Sequence, residues 1–290
     1  LLRVIKYRGS DFIGGAHDVL LTQGGIQVFP RWIDTEDPSQ PEDRQLSSGL
    51  ASLDALLGGG IAKGSSTLLL GPAGVGKSSM GVQFAVEAAR RGERAVLFEF
   101  EESNHALFKR SEGLGLPLRK FVDEGLIEVR HLRAGEITPN EFAMNVRSAV
   151  EADGRGRKTS VVLVDSLNGY LNSMPNEKFL TLQLNDILNY LGRRGVASFL
   201  VVAQHGLVGR SMETPLDTSY LADAVILFRY FEADGQIHRA ISVIKNRTAH
   251  HEHTIREFGL SERGLVIGQP LTKFRGVLAG TPEFVGSHES

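Results

Sequence analysis

The chain has 290 residues, 41% hydrophobic and 23% charged, with a formal net charge of −2. That balance fits a globular protein with a sizeable core and gives no global pull toward nucleic acid or an anionic membrane. The absence of cysteine excludes disulfides, thiolate catalysis and cysteine-ligated zinc. No apolar run nears the ~20 residues that cross a bilayer. The opening Leu1-Leu2-Arg3 carries neither an initiator methionine nor a signal-peptide pattern, so a soluble, cytoplasmic piece of a longer protein is expected.

In chain order, the first thirty residues make sense beside a much later stretch. Val4-Ile5-Lys6-x-Arg8 recurs as Val243-Ile244-Lys245-x-Arg247, and Gly25 recurs as Gly264, all at an offset of 239 residues. A constant offset over β-rich sequence marks an internal repeat. Residues 1–31 are therefore expected to be the C-terminal strands of a preceding copy of the same domain. Residues 32–46 hold two prolines and five acidic residues and read as a linker. The domain proper is then 47–290.

Within it, Leu50, Leu53, Leu56 and Leu57 fall at helical spacing, and Gly58-Gly59-Gly60 ends that helix. The apolar run 66–70 leads into GPAGVGKSS, from Gly71 to Ser79, and then into an amphipathic run over 78–89. Strand, glycine-rich loop and helix in that order, with G-x-x-x-x-G-K-S, make a P-loop. Its glycines let successive N–H groups curl around a polyphosphate, the helix N-terminus adds partial positive charge, and Lys77 adds a full one. Ser78 is placed to offer its hydroxyl to Mg²⁺. The chain is thus expected to bind a nucleoside triphosphate.

Residues 94–100 and 127–131 have strand length and apolar content, and 138–152 reads as a helix opened by Thr-Pro-Asn-Glu. The buried strand 161–164 delivers Asp165 at its C-terminal end, where open α/β sheets place ligands; there it would hold Mg²⁺. A long helix over 176–194, a strand over 198–203 and a polar loop over 204–219 follow. Strands at 224–231 and 240–244 flank a turn at Asp234-Gly235. Strands alternating with helices predict an α/β fold: a mostly parallel twisted sheet, helices on both faces, and a C-terminal β-hairpin region.

Two further groups carry chemistry. Glu101 and Glu102 lie just past the strand after the P-loop helix, where a carboxylate can orient and deprotonate an attacking water. Strand alternation predicts that one of them, Glu101 by preference, faces the phosphate. Lys245 and Arg247, two apart at a strand end, are expected to point the same way, as a cationic finger supplied by a neighbouring subunit.

The runs SSGLASLDALLGGGI, GPAGVGKSS, FEFEES, VDSLN, VVAQHG, DTSYLADAVILFRYFE and RAISVIKNRTAHHEHTIREF resemble the KaiC family of RecA-like ATPases, whose clock members carry two such domains in tandem. The resemblance covers essentially the whole chain, with 1–30 similar to the tail of a first domain. It implies a RecA-like core in a hexameric homo-oligomeric ring, with ATP and Mg²⁺ at subunit interfaces, slow hydrolysis, and Ser/Thr autokinase activity in clock members. Signalling or clock proteins would be its partners. It places the phosphate cradle at Gly74, Val75, Gly76, Lys77, Ser78 and Ser79, with Lys77 also among the catalytic side chains beside Glu101 and Glu102. Ser78, Asp165 and Glu101 fall to the metal, and Lys245, Asn246, Arg247, Arg239 and His251 to a neighbour's nucleotide. The phosphorylated pair would be Ser219 and Tyr220, where tyrosine departs from the family's threonine, so the two-site Ser/Thr cycle cannot run unchanged. Leu114 stands where the clock protein has a tryptophan near adenine. The chain stops at Ser290, soon after TPEFVG, without the long tail that binds the clock's activator, which puts dependence on that partner in doubt.

A nucleic-acid-dependent RecA- or RadA-like ATPase and a non-catalytic ATP-sensing module are the alternatives. The first is disfavoured because loops 168–178 and 204–219 hold one lysine and one arginine respectively, too few for strong phosphate-backbone binding.

Overall fold

Short apolar runs punctuated by glycine fold here into strands whose C-terminal ends gather the polar residues. The computed structural model describes residues 1–32, 44–133, 135–151, 156–172, 177–204, 220–278 and 282–285. Residues 33–43 of the expected linker, most of the 204–219 loop, and Ser219 itself lie outside the described residues.

The chain opens with an antiparallel sheet of β1 (Leu2–Arg3), β2 (Ala16–Thr22) and β3 (Gly25–Phe29). A clip of β4 (Gln45–Leu46) and β5 (Ile61–Ala62) brackets α1 (Ala51–Leu57). Gly58 ends α1 at φ 78°, and a Cβ there would strike the His250 carbonyl, so only glycine fits. Then come β6 (Ser66–Gly71), α2 (Lys77–Arg90), β7 (Arg94–Glu99), α3 (Asn104–Gly113), α4 (Leu118–Asp123) and β8 (Ile127–His131). They are followed by α5 (Pro139–Glu151), β9 (Thr159–Asp165), α6 (Leu167–Asn172), α7 (Glu177–Arg193) and β10 (Ala197–Ala203). Next are β11 (Ala224–Ala233), β12 (Gln236–Asn246), β13 (Arg256–Ser261) and β14 (Gly264–Pro270), with a small final pair, β15 (Phe274–Arg275) and β16 (Glu283–Phe284).

The central sheet runs β14-β13-β12-β11-β6-β10-β9-β7-β8. From β11 to β8 every neighbour is parallel; from β11 to β14 every neighbour is antiparallel. This is the α/β, RecA-like P-loop architecture expected from the sequence. Alternation along each strand sorts the core into two layers. Leu69, Val161, Leu163, Phe199 and Val201 pack with α1, α2 and α4, where Phe84 stacks on Phe199 at 4.6 Å. Leu68, Val162, Val164, Leu200 and Val202 pack with α5, α6 and α7. No helix among the described residues is long and apolar enough to cross a membrane.

Three differences from expectation have local causes. Helices α3 and α4 occupy a stretch with little apolar periodicity; α3 buries only Leu107 and Ser111 and is started by Ser103, whose Oγ accepts from the Ala106 N–H at 3.3 Å. Helix α6 begins directly after the Asp165-Ser166 end of β9. The β11–β12 hairpin is also longer than its apolar runs, reaching the Asp234-Gly235 turn, where both residues have positive φ (52° and 69°).

The repeat has a structural counterpart. Thr22↔Gly25, Leu21↔Ile26 and Val19↔Val28 in the first hairpin match Ser261↔Gly264, Leu260↔Leu265 and Phe258↔Ile267 in the last, at the same offset of 239. Leu2↔His17 likewise matches Ile241↔Arg256. Leu265, Ile267 and Phe258 are core residues, whereas Leu21 and Ile26 are 82% and 68% exposed. The opposite face of the first hairpin lies on the domain: Asp18 accepts from the Asn140 N–H at 2.9 Å, at the start of α5.

Candidate functional site

The P-loop, the ends of β7 and β9, and α3 enclose a cavity of about 660 Å³. Strand β6 sits between β10 and β11, while the chain continues to β7 beyond β10 and β9. That jump opens the crevice at the C-terminal strand ends, where α/β sheets bind ligands.

Gly74, Gly76, Lys77, Ser78, Ser79, Glu101, Glu102 and Asp165 all line the cavity, so the structure brings these expected site residues together. Val75 is fully buried beneath the loop. Gly76, at φ 112°, begins α2, and a Cβ there would come within 2.7 Å of the Phe258 ring. Lys77 is 5% exposed and donates to the Gly71 and Pro72 carbonyls at 2.8 and 2.6 Å. Burial lowers its pKa to about 8, against the opposing pull of Asp165 and Glu101.

Asp165, at the end of β9, accepts a hydrogen bond from Ser78; burial raises its pKa and that bond holds it back. Glu101 accepts from the Ser166 hydroxyl at 2.7 Å. Glu102 is held by Arg110, whose Nη1 also donates to Ser79 Oγ at 2.9 Å. Burial pulls the Arg110 pKa down, but the bond to Glu102 and the surrounding carboxylates raise it overall. Both glutamates reach the cavity because β7 ends at Glu99, so strand alternation no longer sorts the two residues that follow.

Sequence reasoning missed Glu99, Arg110, Ser166 and Ser103, all of which line the cavity. Glu99 had a readable signal, being an acidic residue inside the apolar run RAVLFEF and in phase with Glu101. It lies opposite Asp165 in the β7–β9 register and is 1% exposed, and neither of its oxygens has a partner among the described residues. Burial, reinforced by the Asp165 charge, pushes its pKa up to about 9. Arg110, in a helix with little apolar pattern, gave no such signal.

The other expected residues stand apart. Lys245, Asn246, Arg247, Arg239 and His251 do not line the cavity. Lys245 donates to the Ala222 carbonyl at 2.6 Å while Arg247 is exposed. They do not form one finger here, because the strand ends at Asn246 just past an irregularity in the β11–β12 register. Asn246 donates to the Leu57 carbonyl at 3.2 Å. His251 meets the His253 ring at 4.6 Å, its pKa lowered by burial and by His253 and His250. Arg239 lies over Tyr230, whose hydroxyl donates to the Ala73 carbonyl, so it is one side chain from its own P-loop. Leu114 packs against the core at the end of α3, and Tyr220 is exposed.

A family model described as "ATPase: KaiC" matches residues 46–272. The chain belongs to the KaiC family of ATPases. Among its curated relatives, the "Circadian clock protein KaiC3" of Synechocystis sp. is 29% identical over 290 residues, covering 99% of this chain and 56% of that protein. The "Circadian clock oscillator protein KaiC" of Acaryochloris marina is 26% identical over 288 residues, covering 99% and 54%. The protein of that name from Synechococcus elongatus is 26% identical over 281 residues, covering 97% and 53%. The KaiC-family chain thus spans about half the length of the curated relatives it matches.

The donor set suits Mg²⁺. Among the described residues no three His, Asp or Glu side chains converge to cage a cation unaided. Mg²⁺ at phosphate sites needs no such cage, since it takes one or two protein oxygens, substrate phosphates and several waters. The touching Ser78 and Asp165, with the Glu99 carboxyl, unpartnered among the described residues, in the same cavity, fit that habit.

Proposed function

We propose that this KaiC-family domain binds and hydrolyses Mg-ATP at a site completed by a neighbouring copy in a homo-oligomeric, hexameric ring. One observation carries the reading. The cavity gathers the P-loop, Asp165, Glu101 and Glu102 from a single chain, while Lys245, Asn246, Arg247 and His251 lie off it.

In this scheme the Gly74–Ser79 backbone and the α2 N-terminus hold the β- and γ-phosphates. Lys77 leaves the Gly71 and Pro72 carbonyls to meet the phosphate charge. Ser78 and Asp165 hold Mg²⁺, which supplies Lewis-acid neutralisation of the phosphate oxygens when bound. Glu101, oriented by Ser166, positions the attacking water and takes its proton. Arg247 and Lys245 of the next copy reorient to stabilise charge on the γ-phosphate.

Subunit mixing tests the shared site. Glu101→Gln and Arg247→Ala proteins, each nearly inactive alone, should regain turnover when mixed, since some interfaces then carry neither lesion. A monomer by gel filtration with ATP, turning over normally with Arg247→Ala, would overturn the ring.

We further propose that residues 1–31 are the C-terminal strands of an upstream copy, in keeping with the matched hairpin registers, and that the linker expected over 32–46 stops short of Gln45–Leu46, which form β4 against β5 of the domain. Ser219 is the proposed acceptor of self-phosphorylation, the proposed location is the cytoplasm, and a clock-related signalling role accords with the relatives' names as clock proteins. Phosphopeptide mapping after incubation with Mg-ATP decides the kinase activity: full ATP turnover without label on Ser219 would end it.

A further inference from the structure

We infer that Glu99 is an additional carboxylate of the metal–nucleotide site, accepting hydrogen bonds from water molecules carried by the divalent cation of the bound nucleotide. The inference rests on the Mg-ATP reading above and assigns it a residue that the P-loop motif does not contain.

The orientation of Glu99 follows from strand alternation. Its neighbours Phe98 and Phe100 pack toward Phe142 on one face of the sheet, at 5.5 and 5.8 Å between ring centres. Glu99 takes the other face, with Leu97, toward α2 and the P-loop. There it is 1% exposed beside Asp165, with both oxygens unpartnered among the described residues. A buried carboxyl without a partner is costly, and such a group in a folded protein calls for an explanation. The cations within the cavity are already engaged: Lys77 by two loop carbonyls, and Arg110 by Glu102 and Ser79. A ligand that brings donors of its own would satisfy Glu99. Water on a cation held by Ser78 and Asp165 supplies donors at that place.

The test uses Mn²⁺ as the probe, its binding to the ADP-loaded chain followed by electron paramagnetic resonance, which needs no turnover. Outer-shell losses at metal sites cost about 10- to 100-fold in affinity. Glu99→Ala should weaken Mn²⁺ binding within that range, and Glu99→Gln by less, while ADP affinity in EDTA stays unchanged. Ser78→Ala serves as the reference lesion. If Ser78→Ala weakens Mn²⁺ binding and both Glu99 variants stay within twofold of the unaltered chain, the Glu99 assignment falls and the P-loop reading stands. If the unaltered chain does not bind Mn²⁺ with ADP, both fall. Should Glu99→Ala fail to fold, the near-isosteric Glu99→Gln decides by the same readings.

Discussion

Arg110 grips Glu102 through a forked ion pair, with Nε at 3.2 Å from one carboxylate oxygen and Nη2 at 2.5 Å from the other. The pair separates two glutamates that sequence alone leaves equivalent: Glu102 is tied to the P-loop helix through Arg110 and Ser79, while Glu101 accepts a hydrogen bond from the neutral Ser166 hydroxyl. A carboxylate already spent on a guanidinium is a poor base.

Glu101→Gln should accordingly reduce kcat by roughly 10²- to 10⁴-fold, the usual worth of general-base assistance. Glu102→Gln and Arg110→Ala should each cost about tenfold, and their double variant little more, because neighbours in one network do not act additively. Steady-state ATPase assays on the four proteins check the order. A kcat loss for Glu102→Gln as large as for Glu101→Gln would reverse the assignment.

Lys77 gives the site a pH dependence with a definite sign. Its pKa is about 8 in the ligand-free chain, lowered from 10.5 by burial. Above pH 8 the amine is mostly neutral, whereas polyphosphate favours the charged form, so ATP binding at pH 8.5 should take up protons. Calorimetry in buffers of different ionisation enthalpy measures that uptake, and Lys77→Met should abolish it. For folding, the unfolded chain binds more protons than the native one between pH 8 and 10.5. The burial penalty is thus fully present below pH 8 and is relieved as pH rises through that window.

Asp18 anchors the first hairpin to the start of α5 by accepting from the Asn140 N–H. Replacing it with alanine removes a capping-type interaction of about 0.5–2 kcal/mol. Hydrogen exchange should quicken in β2 and β3 and leave β6, β9 and β10 protected. Unchanged exchange in the hairpin would mean that other contacts hold it.

The parts of the site legible in the sequence were those written as local pattern. The P-loop is announced by its glycines, Lys77 and Ser78, Asp165 by the apolar strand before it, and the β11–β12 turn by Asp234-Gly235. What stayed hidden depends on distance in space. Arg110 reaches Ser79 across 31 positions, and nothing in the polar α3 stretch foretells it. Glu99 looks like one more charge at a strand end until the β7–β9 register sets it against Asp165. Lys245 and Arg247 part company within one chain because β12 ends at Asn246, between them, and a strand end is not written in the alternation.

The first hairpin has one further consequence. Its counterpart at the other end of the chain wedges Phe258 and Leu260 against Gly76 of the P-loop. If an upstream core closes over Leu21 and Ile26 in the same way, this hairpin would touch that core's phosphate loop with one face and press on α5 with the other. Helix α5 leads, in sequence, into β9 and so to Asp165.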